Sequence, residues 1–416
     1  MNVAEKAAED AEAAENLYGF SACKNRVNTN MSKYIIEPEY YKDFRCIGGD
    51  CSFTCCKEWK IAVDPDTKKR WKSIKTPAGL KEQGRLPESV SEGDALNAFI
   101  AKADDSDVIG LLPNMKCPFL EEDRLCILVK NHGEEVLSKT CHTFPRESHV
   151  YSDRTERALV SCCPWVVDKW KDIDSLSFTG FDYKDAAVIK NQKDVFRQVR
   201  DLMMYYLADD RVSNRINLLK AFFVLLDIYS KNDVRDPEEY LSEETLVELE
   251  ETIETLFEEP EESVTERNEM FLDITENYVK EGRYTEFLGP MIDEAEGLKD
   301  CSDYAVFREK NKEYEKLMRN YLVAETFSSL LFPDADIPDL VMQFEWMMME
   351  YALMEHAVYL KWRSCPDKTV PYETVRDMMV LVSRLTGYGM DDIEEYLINS
   401  FEDAVWDFGY AVFLLG

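Results

Sequence analysis

The chain has 416 residues, 45% of them apolar and 31% charged, with 16 Gly and 15 Pro. This balance excludes collagen-like and low-complexity architectures and predicts about two to three globular domains. With 82 acidic against 49 basic residues the net charge is −33, which repels nucleic acid and anionic lipid unless a local basic patch is hidden.

The N-terminal stretch MNVAEKAAEDAEAAEN is rich in Ala and Glu. It lacks the apolar core of a secretory signal, so residues 1–33 read as an extension. No later run reaches the ~18 uncharged apolar residues of a transmembrane segment. The expected compartment is cytoplasmic, where thiols stay reduced. Tyr34–Ile36 has short-strand character, and Gly48-Gly49-Asp50 forces a turn, because glycine admits backbone angles that other residues avoid. WKIAVD, residues 59–64, alternates as a strand does. Residues 65–115 mix weak helix signals with loops. Ile127–Leu137 holds a short helix broken near Gly133, and SHVYSD and ERALVSC read as two strands joined at Asp153–Thr155.

From about residue 185 the apolar spacing becomes helical, as at Val195, Phe196, Val199, Leu202, Met203 and Tyr206. Leu246, Leu249, Ile253, Leu256 and Phe257 repeat likewise, stopped by Pro260. The run 341–362 is apolar on most sides and reads as a central buried helix, followed by helices at 372–386 and 391–406 split by Gly387 and Gly389. About eight to ten helices of ordinary length fit this part. The expected class is therefore mainly α: a small cysteine-rich α+β metal-binding domain (34–180) followed by an all-helical bundle (181–416).

Nine of the twelve cysteines fall between residues 46 and 163, spaced C-x4-C-x3-C-C, then C-x8-C-x14-C-H, then C-C-P. In a reducing compartment such clustering points to metal rather than disulfides. Short spacers bring two or three thiolates together and a distant pair closes the site, either around tetrahedral zinc or around an iron–sulfur cluster. Neighbours such as Cys55 and Cys56 diverge, so some members are core or supporting residues. Cys23, Cys301 and Cys365 stand apart and read as buried thiols.

His142 suits zinc as a ligand and otherwise packs in a loop. His356 reads as a core histidine, and Met347–Met349 as core. Glu345, Tyr351 and Glu355 on the central helix read as packing, with a polar lining as the alternative. The run 243–262 carries ten Glu and no Lys or Arg. It reads as a solvated helix face, with attraction of a lysine-bearing substrate as the functional alternative. There is no G-x-x-x-x-G-K-[ST], no G-x-G-x-x-G and no H-E-x-x-H. Cys51 and Cys55 match the first spacing of the radical S-adenosylmethionine motif C-x3-C-x2-C, but Glu58 stands where its third cysteine belongs.

The strings PEYYKDFRCIGGDCSFTCCKEWKIAVD and CPFLEEDRLCILVKNHGEEVLSKTCHTFPR, then SCCPW and NYLVAETFSSLLFP, resemble flagellin lysine-N-methylases. The CC and CPFL…C…C…FP pattern is shared with broader zinc or iron chelatase-type proteins. The resemblance implies a cytosolic enzyme that transfers methyl from S-adenosylmethionine to lysines of flagellin and carries an iron–sulfur cluster, of 4Fe-4S type, with zinc as the alternative. On this chain the matching positions are Cys46, Cys51, Cys55, Cys56, Cys117, Cys126, Cys141 and Cys163, Cys162 being extra. Two other readings stand beside it: a non-enzymatic zinc- or iron-binding protein whose helical domain docks a partner, and a redox protein.

Overall fold

A computed structural model describes residues 34–86, 90–103, 106–231, 237–256, 260–401 and 406–416. The expected extension at 1–33 and Cys23 lie outside the described residues. The protein is mainly α, with two small sheets. The described chain packs as two units: residues 45–146 with 281–284, and residues 34–44 with 147–280 and 285–416.

The first unit is built from short elements. Helix Pro65–Ser73 starts at a proline, where the missing N–H costs nothing. It is capped by Asp64, whose carboxylate accepts from Thr67 N at 2.9 Å. Strands β2 (Ile100–Ala103) and β3 (Ser106–Ile109) form an antiparallel pair. The strand expected at 59–64 is instead a single isolated bridge of Ala62 with Val108, flanked by Val63 N donating to Asp107 O at 2.8 Å and preceded by a separate bridge of Lys57 with Lys116. Glu58, with a left-handed φ of 67°, separates the two bridges. Trp71, Leu80, Phe119, Ile127 and Leu128 form the core, with Cys117 among them. The Trp71 and Phe119 rings meet edge to face at 5.4 Å, and Trp71 Nε1 donates to Val136 O at 2.8 Å.

In the second unit, strands β1 (Tyr34–Ile36), β4 (Arg146–Val150) and β5 (Arg154–Leu159) form a sheet of order β1-β5-β4, with Ile35 opposite Thr155 in a parallel pair. Glu156 on β5 accepts from Arg154 Nε at 2.6 Å and from Arg200 Nη1 at 2.5 Å, tying the sheet to helix Val195–Leu207. The expected central helix spans Ile337–Ser364, begins at an Asp336–Asp339 capping box and is buried on every side. Helices Asn214–Lys231, Pro260–Lys280, Glu315–Ser329 and Tyr372–Leu385 pack around it. Twelve described helices follow residue 185. This exceeds the expected number because short ones such as Ala186–Lys190 leave too little periodicity to read. Helix Glu243–Glu254 exposes Glu244, Glu248, Glu251 and Glu254, as a solvated face does. The last expected helix runs Met390–Phe401, and residues 402–405 lie outside the described ones.

Candidate functional site

Seven of the eight expected metal-site cysteines lie in the first unit, on four loops. Cys46 and Cys51 flank the turn Gly48–Asp50, closed by Cys51 N donating to Gly48 O at 3.1 Å. Gly48 has a φ of 54°, and a Cβ there would stand 3.0 Å from Leu125 Cδ2. A Cβ on Gly49 would stand 3.0 Å from the Asp123 carbonyl oxygen. The two glycines therefore let this loop approach the one that carries Cys126.

Cys55 and Cys56 follow in a turn where Cys56 N donates to Thr54 Oγ1 at 3.2 Å. Cys117 N donates to Cys56 O at 2.9 Å, joining the first cysteine loop to the second. The segment after Cys117 folds back so that Leu120 bridges to Cys126, through a turn with Arg124 at a φ of 63°. Cys126 then caps helix Ile127–His132, which ends at Gly133 with a φ of 84°, the break expected there. Cys141 sits in helix Lys139–Thr143, its N–H donating to Oγ of the buried cap Ser138 at 3.2 Å.

The thiols feel one another. Cys55 hydrogen-bonds Cys56, and its charge also acts on Cys46, Cys117, Cys126 and Cys141. The hydrogen bond with Cys55, followed by burial, pushes the Cys56 thiol far up. Burial, followed by a backbone hydrogen bond that partly offsets it, raises Cys117 and Cys126. Burial raises Cys141 to about 12. No Lys or Arg is among the groups acting on these thiols. Raised thiols with no cation beside them are poor nucleophiles, and several soft donors on neighbouring segments suit metal ligation. Among the described residues no three Cys, His, Asp or Glu side chains already stand in an arrangement that holds an ion. A metal would draw these neighbouring thiols together, as metal binding coupled to folding does.

The remaining candidates fall elsewhere. Cys163 begins helix Pro164–Asp172 in the second unit, buried beside Cys162, whose carbonyl accepts from Arg384 Nε at 3.2 Å. His142 is exposed, and Cys301 is buried. His356 is a core residue: its Nε2 meets Asn268 Oδ1 at 3.0 Å, and burial, aided by Arg267, holds the imidazole down to about 3. Burial raises the Glu355 carboxyl, but Arg215 at 2.7 Å outweighs it and keeps the group below the usual range. Glu345 is 2% exposed, and burial pushes it up to about 9. Tyr351 is buried too, so Glu345 and Tyr351 pack in the core, while Glu355 is half-buried and ion-paired with Arg215.

Sequence reasoning missed one contribution. Residues 281–284 connect two helices, yet they pack with the cysteine loops. Arg283 Nη1 donates to Glu58 O at 3.3 Å, and the buried Tyr284 ring stacks on Phe53 at 6.0 Å. More than two hundred residues separate these partners in sequence, so no local signal marks the contact.

Over 138 residues, 32% of its length, the chain is 33% identical to the flagellar biosynthetic protein FliU of Salmonella muenchen, covering 75% of that protein. Over 138 residues it is also 32% identical to a lysine-N-methylase of Salmonella choleraesuis and 31% identical to one of Salmonella typhimurium. The chain spans 32% of the length of each of these two. No family model and no solved structure matches it.

Proposed function

Because the chain belongs to the flagellin lysine-N-methylase family, we propose that it is a methyltransferase moving a methyl group from S-adenosylmethionine to lysine side chains of flagellin. The observation that carries this reading is the match to proteins named lysine-N-methylase. The thiols around Cys55 supply an independent physical argument for an inorganic centre, for which the donor set is soft and dense.

An iron–sulfur cluster of 4Fe-4S type is the proposed occupant, held from Cys55, Cys56, Cys117, Cys126 and Cys141, with Cys46 and Cys51 on the adjoining loop. When bound, such a cluster supplies a redox or Lewis-acid centre. The chain's own contribution is to hold the cysteine loops. The Cys56–Cys117 backbone hydrogen bond, the Ser138 cap beside Cys141 and the Gly48-Gly49 approach to Leu125 each fix one of them. Methyl transfer to lysine also requires a neutral amine aligned with the sulfonium methyl, and a dry pocket lowers the amine's proton affinity.

The test is anaerobic purification with iron, zinc and sulfide analysis, followed by incubation with labelled S-adenosylmethionine and flagellin. The reading expects a brown protein, label on flagellin lysines and loss of both in Cys55→Ser. A colourless zinc protein that transfers no label overturns it in favour of a metal-binding module that docks a partner. Reversible bleaching without methyl transfer overturns it in favour of a redox protein.

A further inference from the structure

A cleft of about 480 Å³ opens on the first unit, within the size range of small-molecule sites. It lies against the β2–β3 hairpin and the ribbon that ends at Cys56 and Cys117. Among the described residues its lining includes Lys60, Lys102 and Arg283 and no carboxylate. In a chain with 82 acidic and 49 basic residues, three cations facing one concavity run against the composition, although Arg283 is paired with Glu281 and Lys102 with Asp107.

The three cations differ in how they are held. Arg283 is 5% exposed, its Nε 2.8 Å from Glu281 and its Nη1 on the Glu58 carbonyl. It is therefore a fixed charge on a low-dielectric wall, where attraction to an anion is strongest. Lys102 reaches Asp107 at 2.9 Å but is 72% exposed, and Lys68 holds the same carboxylate at 2.6 Å. Lys102 can therefore turn toward a ligand without leaving Asp107 unpaired. Lys60 is half-buried at the rim. Apolar surface from Val108, Ile109, Leu111 and Met115 completes the lining. A bare ion would leave that surface unused, so the shape calls for an organic molecule with a charged end.

We infer that this cleft binds a small organic anion bearing a carboxylate or a phosphate, with Arg283 as the buried anchor and Lys60 and Lys102 holding its outer side. Two sources carry that chemistry: the carboxylate of the methyl donor, or a separate phosphate-bearing molecule. The inference does not depend on the methyl-transfer reading, since it concerns equilibrium binding alone.

Calorimetric titration of the full, metal-loaded protein with S-adenosylhomocysteine and, separately, with adenosine diphosphate tests it. For at least one probe, Lys60→Gln combined with Lys102→Gln is expected to raise Kd about tenfold or more. Wild-type affinity for that probe should weaken with added salt. Arg283→Lys, which keeps the charge but loses the planar fork, should weaken it as well. The double variant replaces the exposed Lys102 and the half-buried rim residue Lys60, so its result does not hinge on the fold surviving an Arg283 substitution. A response confined to the homocysteine probe assigns the cleft to the methyl donor. A response confined to the diphosphate assigns it to a second ligand. If neither probe binds, or the double variant binds both as wild type does, the inference is overturned.

Discussion

In the helical unit one helix, Ile337–Ser364, is buried on all sides and meets most of the other helices. In the cysteine unit no described helix is longer than nine residues. The helical unit fills its interior with large side chains such as Phe222, Phe344, Tyr321 and Trp362, each 2% exposed or less. The cysteine unit places sulfur where such side chains would go: Cys117 belongs to its core, and Cys56, Cys126 and Cys141 pack against it. Apolar burial dominates the first arrangement, with buried ion pairs such as Arg200–Glu156 among it. The second fits a fold completed by a metal bond, in which binding energy becomes folding energy.

Metal removal should break this contrast most visibly. With a strong chelator the cysteine unit is expected to lose several kcal/mol, on the order of a structural metal site. Proteolysis would then cut within residues 45–146 while far-UV circular dichroism keeps most of the helical signal. An unchanged digestion pattern would show that the unit stands without metal.

Phe344→Ala is the converse lesion. The ring is fully buried and stacks on Phe222 at 6.2 Å, so about 3–5 kcal/mol should be lost. Metal per folded molecule should stay constant.

pH sharpens the contrast further. Glu345 stays protonated in the folded helix up to about 9, whereas in the unfolded chain it ionises near the ordinary carboxylate value. Between those limits the folded state holds the extra proton, so stability falls as pH rises through this window. Thermal melts of the helical unit should therefore shift down from pH 6 to pH 9, and Glu345→Gln should flatten that slope.

A smaller effect is expected at Asp64. Its carboxylate accepts from Thr67 N at 2.9 Å and from Lys139 N at 2.9 Å, tying one helix start to the loop before Cys141. Asp64→Ala should cost about 1 kcal/mol in chemical denaturation and loosen only the cysteine unit.

Local chemistry made much of this legible in the sequence. Gly48-Gly49 announced a turn, Gly133 a helix end, and the apolar run after residue 341 a buried helix. Cysteine density marked a region whose first seven thiols share one unit. What stayed hidden depends on distance along the chain. Nothing near Arg283 and Tyr284 indicates that they pack beside Glu58 and Phe53. Nothing in C-C-P distinguishes Cys163, which lies in the helical unit, from the other seven. The alternation of WKIAVD did not become a strand, because it pairs only through an isolated bridge at Ala62.

The helix Ile337–Ser364 has a dynamic consequence. Because so many neighbours lean on it, none of them can open far without disturbing the contacts of the rest. Its central amides should exchange with solvent only when the whole unit unfolds, so deuterium uptake there would time global unfolding rather than local breathing.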